Sequence, residues 1–201
     1  MSPIIVVPYR NREQHLLQFI NYINNSVYRS LNICIVEQSV EKPFNRAKLL
    51  NIGYLENPAH THYIFHDVDM LPVNVPYESY EKLSVVQLAG SDIQKRDYLG
   101  GVTRFTNIAF RRVGGYHNDY YHRAEDNEIM FNLKRLSIHV VNNFGIFNMQ
   151  PHERKEPEFN PALWHKAQIK REVQDQLSIC RYEVLHTKEI DDHIRHIVVS
   201  I

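Results

Sequence analysis

The chain opens on a β-branched run, Ile4 to Val7, stopped by Pro8. A short apolar run bounded by a turn residue predicts a buried strand. From Arg12 to Val27 the pattern changes. Leu16, Leu17, Ile20, Ile23 and Val27 recur at helical spacing and predict an amphipathic helix. Ile33 to Val36 predicts a second buried strand. Phe44 to Leu55 predicts a helix with Ala47, Leu50 and Tyr54 on one side, and Tyr63 to Phe65 a third strand. Strand and helix in alternation predict an α/β fold with parallel strands and right-handed crossovers. The second half is mixed. Val85 to Leu88 predicts a strand, and Thr106 to Val113 a helix stopped by Gly114-Gly115. Glu125 to Leu136 predicts a helix that buries Ile129, Leu133 and Leu136. Trp164 to Leu177 predicts a polar helix, and Tyr182 to Leu185 and Ile197 to Ile201 predict closing strands. No linker or repeat divides the chain, so residues 1–201 are expected to form one domain.

Composition narrows the function. The 201 residues suffice for a real core, and 43% are hydrophobic. Lys+Arg and Asp+Glu each number 23, so no net charge draws the chain to nucleic acid. No apolar run is long enough to span a bilayer. The first residues are too short and uncharged for a signal peptide. Cys34 and Cys180 allow one bridge at most, and Cys34 falls in a buried strand, which favours reduced thiols. These features lead us to expect a cytoplasmic protein, or one held peripherally at the inner face of a membrane.

Candidate chemistry lies at the ends of the early strands, where parallel sheets bind ligands. Arg10-Asn11-Arg12, Phe44-Asn45-Arg46 and Asp67-Val68-Asp69 all fall there. Two carboxylates at a strand end offer hard oxygen ligands for Mg²⁺ or Mn²⁺. Such an ion suits a nucleotide diphosphate, because it neutralises charge on the leaving group. An Asx-type turn closing the strand is the alternative use of the same residues. His60, His62 and His66 precede the acidic pair, but without a carboxylate partner they are expected to be structural.

The stretch Ile64-Phe65-His66-Asp67-Val68-Asp69-Met70-Leu71-Pro72 resembles the metal-binding segment of the β-1,4-galactosyltransferase family. The resemblance continues in order. Pro8-Tyr9-Arg10-Asn11-Arg12 is similar to that family's first-strand motif, and Phe44 to Gly53 to its most distinctive segment. Gly100-Gly101-Val102-Thr103 is similar to its Gly-Gly-Val motif. Glu125-Asp126-Asn127-Glu128 is similar to its acidic catalytic segment, and Met149-Gln150-Pro151-His152 to its Met-x-x-His. The resemblance implies a GT-A-type fold with a Rossmann-like, mostly parallel central sheet flanked by helices. Residues 1–100 would form the nucleotide-sugar half and residues 101–201 the acceptor half. It implies inverting transfer of galactose from UDP-galactose to a sugar hydroxyl in β-1,4 linkage, with Mn²⁺, or Mg²⁺, as cofactor. Asp69, Met149 and His152 would be metal ligands. Arg10, Arg12, Phe44, Arg46, Asp67, Val68, Tyr98 and Gly101 would face the donor. Asp126 would be the base and Glu125 a positioning residue. A bulky Tyr98 goes with galactose over N-acetylgalactosamine. The resemblance covers the catalytic domain without the anchor and stem of animal members, and with the composition it suggests a microbial enzyme of surface-polysaccharide or glycoconjugate synthesis.

Three departures bear on the acceptor side. Where the family has Trp-Gly-Trp-Gly-Gly, this chain has Tyr120-Tyr121-His122-Arg123-Ala124. His122 stands in place of a stacking tryptophan and is expected on the donor phosphates, while fewer glycines restrict the loop. Asn127 replaces an acceptor-binding aspartate and can bond hydroxyls without charge. The stretch Asn160 to Trp164 is also altered, with Trp164 the candidate acceptor contact. A carbohydrate or glycoconjugate acceptor is expected. The alternatives are another UDP-sugar donor (UDP-N-acetylgalactosamine or UDP-glucose) or a non-catalytic UDP-sugar-binding module, against which both acidic residues argue.

Overall fold

The structure, a computed structural model, describes residues 3–39, 42–77, 85–89, 98–120, 124–151, 161–169 and 172–201. Strand β1 (Ile4–Tyr9) is buried throughout. Its side chains alternate between two cores, Ile4 and Val6 on one face and Ile5, Val7 and Tyr9 on the other. Both faces are covered, which is why the segment reads as an unbroken apolar run. Helix α1 (Glu13–Asn24) covers the second face with Leu16, Phe19 and Ile23. It is shorter than the apolar spacing predicts. Leu17 and Val27 are exposed, and Phe19 takes the central contact instead.

Strand β2 (Asn32–Gln38) pairs in parallel with β1, and helix α2 (Arg46–Leu55) packs on the first face. The α2 helix starts later than expected because Asn45 caps it, its side chain accepting from Lys48 N at 2.9 Å. Gly53 of α2 lies against β1, and a Cβ there would sit 2.2 Å from Val6 Cγ1. Strand β3 (His62–His66) lies parallel to β1 on its other side. Strands β4 (Met70–Asn74), β5 (Val85–Ala89) and β6 (Val102–Thr106) follow. Thr106 caps helix α3 (Asn107–Val113), which ends at Gly114 in a left-handed conformation. Helix α4 (Glu125–Arg135), strands β7 (Val140–Asn142) and β8 (Ile146–Met149), helix α5 (Pro161–Ile169) and the hairpin β9 (Glu183–Asp191) and β10 (Ile194–Ser200) complete the order.

Among the described residues, eight strands form one sheet in the order β7-β5-β6-β3-β1-β2-β10-β9, while β4 and β8 form a separate ribbon. The sheet is mixed. A parallel centre, β3-β1-β2-β10, is flanked by antiparallel β6 and β9. The expectation of a mostly parallel central sheet is met there, β5 and β7 also pair in parallel, and the antiparallel steps are β3–β6, β6–β5 and β10–β9. The last strand, β10, lies beside β2, so the sheet draws on both halves of the chain.

Several elements differ from the pattern-based reading. β4, β6, β7 and β8 were not anticipated, because strands of three to five residues carry little periodicity. The expected helix from Trp164 to Leu177 is α5 instead, ending at Ile169. Beyond it, Gln176 N and Leu177 N bond to Gly114 O, so tertiary partners claim the backbone groups a helix would use. Strand β9 runs past Leu185 to Asp191, exposed at every position, with β10 as its one neighbour. Cys34 and Cys180 are buried and free. Among the described residues no helix is long and apolar enough to cross a membrane.

The close approach at Gly53 is directly testable. Gly53→Ala should lower stability by about 1–3 kcal/mol in urea unfolding, because overpacking against Val6 outweighs the helix propensity gained. An unchanged or raised midpoint would mean that the α2–β1 contact is looser than the structure shows.

Candidate functional site

The site lies at the carboxyl ends of β1 and β3, where two helix N-termini meet. Gln38, buried at the end of β2, shapes the approach to α2. Its amide donates to Lys42 O and Pro43 O, and its carbonyl accepts from Asn45 N at 2.8 Å. The capped first turn then projects Arg46. A cation at this position opposes the helix dipole, so its place must be secured by partners. Arg46 Nε meets Asp67 Oδ1 at 2.8 Å, and Nη1 meets Asp126 Oδ1 at 3.2 Å. Nη2 makes a weaker contact with Gly101 O at 3.5 Å. Burial works against the guanidinium's charge, but Asp67 and Asp126 outweigh it and hold its pKa above the ordinary value.

The two carboxylates of Asp67-Val68-Asp69 go to different partners. Asp67 takes Arg46, and Asp69 Oδ2 takes Arg12 Nη1 at 3.2 Å. Val68 between them is buried in the core, so its side chain is not free to line a ligand site. Asp69 O accepts from Gln150 N at 2.7 Å, and the β4–β8 register sets Met70 opposite Met149. The ribbon thus carries the half-exposed Met149 to the acidic pair. Among the described residues no group of three or more His, Cys, Asp or Glu could hold a metal. His152 lies outside the described residues, as does His122. Trp164 lies on α5, and its side chain also lies outside them.

Of the early histidines, His66 has structural partners on both ring nitrogens. His66 is fully buried, with Nδ1 2.9 Å from Asp67 O and Nε2 2.9 Å from the Tyr77 hydroxyl. Burial lowers its pKa to about 4, so the ring is neutral and supports the Asp67 backbone.

Helix α4 has Glu125, Asp126 and Glu128 in its first turn, where its dipole favours negative charge. Asp126 is buried, while Glu125 and Asn127 are half-buried. The Tyr98 hydroxyl lies beside Asp126 Oδ2 at Gly100, and Leu99 N donates to Asp126 O at 3.2 Å. The Asp126 charge, together with burial, raises the Tyr98 pKa. Gly100 is required here: a Cβ would lie 2.2 Å from the Tyr98 hydroxyl and 2.5 Å from Asp126 Oδ2. Arg10 lies over the Phe44 ring, 5.3 Å from its centroid, and donates to Lys42 O. The structure therefore brings Arg12, Arg46, Asp67, Asp69, Tyr98, Gly101 and Asp126 together, with Arg10 and Phe44 at the margin.

Sequence reasoning missed the residues behind this layer. Tyr116, fully buried, feels both Asp126 and Arg46. Asn51, Asn118 and Gln176 form a buried amide cluster, and Gln38 organises the turn before α2. An amide carries no periodic signal, so only its burial reveals it.

The buried carboxyl has a measurable signature. Burial, opposed by Arg46 and aided by Glu125 and Asp67, raises the Asp126 pKa from its ordinary 3.8 to about 8. Between those values the folded protein keeps a proton that the unfolded chain has released. Stability contributed by this group is therefore present at low pH and lost as pH rises towards 8. Urea unfolding at pH 5 and pH 8 should show the wild type losing more stability than Asp126→Asn. Equal losses would remove the burial account.

Comparison with known proteins agrees with this geometry. Residues 2–80 match the family described as the N-terminal region of glycosyl transferase group 7. Beta-1,4-galactosyltransferase 4 of Homo sapiens is 34% identical over 90% of this chain and 58% of its own length. Beta-1,4-galactosyltransferase 2 of Mus musculus is 29% identical over 90% of this chain and 54% of its own length. The chain thus spans little more than half the length of these curated relatives. The catalytic domain of Drosophila beta1,4galactosyltransferase 7, solved with xylobiose, has a TM-score of 0.83 at 24% identity, covering 100% of this chain and 94% of that one. A mutant of that protein, solved with manganese, UDP-Gal and xylobiose, has a TM-score of 0.81 at 22% identity with the same coverage. At these identities the structural likeness shows the fold. The chain's relatives are thus the β-1,4-galactosyltransferases of glycosyl transferase group 7, and its fold is the GT-A glycosyltransferase fold.

Proposed function

We propose that this chain transfers galactose from UDP-galactose to a sugar hydroxyl with inversion at the anomeric carbon. The observation that carries the reading is the part-buried bridge Asp67–Arg46–Asp126, which joins the strand-end acidic pair to the first turn of α4. The capped start of α2, with Arg46, and the neighbouring Arg10 and Arg12 form a positive rim suited to a diphosphate. Phe44 offers a face for the base. Manganese and UDP-Gal in the Drosophila mutant structure support the donor and the metal. Asp69, Met149 and His152 would hold Mn²⁺. The fit rests on the carboxylate and thioether that the β4–β8 ribbon brings together. The ion would neutralise charge on the departing diphosphate. The sulfur ligand is the least expected of the three for a hard cation.

Asp126 performs the proton transfer. Once ionised, Asp126 keeps Oδ1 on Arg46, so Oδ2, beside Gly100 and the Tyr98 hydroxyl, is left to accept the proton. As the acceptor oxygen bonds to the anomeric carbon, the bond to the diphosphate breaks, UDP leaves and the proton passes to Asp126. Glu125 and Asn127, on the same half-exposed turn, would meet the acceptor sugar, with Trp164 and His122 completing the enclosure. Tyr98 narrows the donor pocket in favour of galactose. Xylobiose in both Drosophila structures supports a carbohydrate acceptor. Free, buried Cys34 and Cys180 support a reducing, cytoplasmic compartment.

A UDP-release assay across UDP-sugars and acceptor sugars, with and without Mn²⁺, tests the reading. UDP-galactose should turn over fastest and only with metal. UDP binding without turnover of any donor would point to a non-catalytic module. Asp126→Asn should lower kcat by about 10²–10⁴-fold with donor affinity kept, the range for loss of a general base. Asp69→Ala should abolish the Mn²⁺-dependent part of UDP affinity in calorimetry. Full affinity in that variant would remove the metal assignment.

A further inference from the structure

We infer that Asn118 is a positioning residue for the transfer reaction, locking the α2 cap to the C-terminal segment and so holding Arg46 against Asp126. This rests on the proposed function. Asn118 is buried in the turn between α3 and α4, and its hydrogen-bonding groups are used in four directions. Its carbonyl accepts from Asn45 Nδ2 at 2.5 Å, the side chain that caps α2. Its Oδ1 accepts from Asn51 Nδ2 at 3.0 Å, one helical turn further along α2. Its Nδ2 donates to Gln176 O at 2.7 Å, and its N donates to Gln176 Oε1 at 3.1 Å. Asn51 also receives Tyr116 N at 2.9 Å and donates to Tyr116 O at 2.7 Å.

The cluster therefore grips both the cap and the second turn of α2. Arg46 follows the cap directly, and its place opposes the helix dipole, so the first turn needs an external anchor. The same turn leads to α4. Tyr120, two residues on, is buried against Ala124 at the start of α4. That contact ties the turn carrying Asn118 to the N-terminus of α4. An amide is required at residue 118, because a carboxylate there would set an oxygen against the Gln176 carbonyl.

The test uses Asn118→Ala and Asn118→Asp, which remove or invert the side-chain donor to Gln176 O. The groups facing Asp126 are Arg46, Asp67, Glu125, Tyr98 and Tyr116. Of the three charged groups Arg46 alone favours ionisation, so loosening it should raise the acidic limb of the kcat profile. Both Asn118 variants should lower kcat at least tenfold, leave the donor KM within threefold and move that limb up by about one unit. A thermal midpoint that falls while kcat and limb stay put would overturn the positioning role. If the Asn118 variants do not fold, Gln176→Ala serves as the milder break with the same expected shifts. If the wild type turns over no donor, carboxyl NMR titration of Asp126 in the apoprotein reads the same shift without activity. An unmoved titration would then refute the inference independently of the proposed function.

Discussion

The structure turns on a guanidinium held between two carboxylates. Arg46 is 15% exposed at its side chain, and its two partners come from separate parts of the chain, Asp67 after β3 and Asp126 on α4. Removing one member of such a part-buried set leaves the others without their partner, which costs more than breaking a fully exposed pair. The bridge also fixes geometry. A planar fork that meets two carboxylates at once allows little rotation, so the ends of α2 and α4 are set relative to each other.

The rest of the architecture serves that convergence. The parallel centre of the sheet delivers β1 and β3 to the same edge. Antiparallel β6 begins beside that edge, so the turn before it presents Tyr98 and Gly100 to Asp126. The β4–β8 ribbon carries Met149 back to Asp69. Both features depart from simple strand–helix alternation, and both bring late segments of the chain to motifs near its start. The electrostatics follow from the packing. Burial raises the Asp126 pKa, Arg46 restrains that rise, and a dipole-favoured helix start keeps the carboxyl within reach of ionisation.

Much of the first half was legible as pattern. The runs Ile4 to Val7 and Ile33 to Val36 are buried on both faces, and strands of that kind read as unbroken apolar segments. Asp67, Asp69, Arg46 and Asp126 could be singled out because they fall in ordered motifs resembling one family; strand-end turns and a dipole-favoured helix start would also have explained the acidic ones. Leu17 and Val27 misled, because a helix face is decided by what covers it. The segment around Gln176 misled for the converse reason: its backbone donors found Gly114 before they could form a helix.

The sequence by itself therefore determined the alternating strands and helices, the buried β-branched centre and the identities of the charged groups. It could not assign those groups to one another. Asp67 and Asp69 look like a pair in the chain, yet the structure gives one to Arg46 and the other to Arg12. Asn118 and Gln176 look like ordinary surface amides until burial makes each of their hydrogen bonds obligatory. Periodicity reports only which side of an element is apolar. Pairing among distant polar groups depends on how the elements pack, and that was decided by the tertiary structure alone.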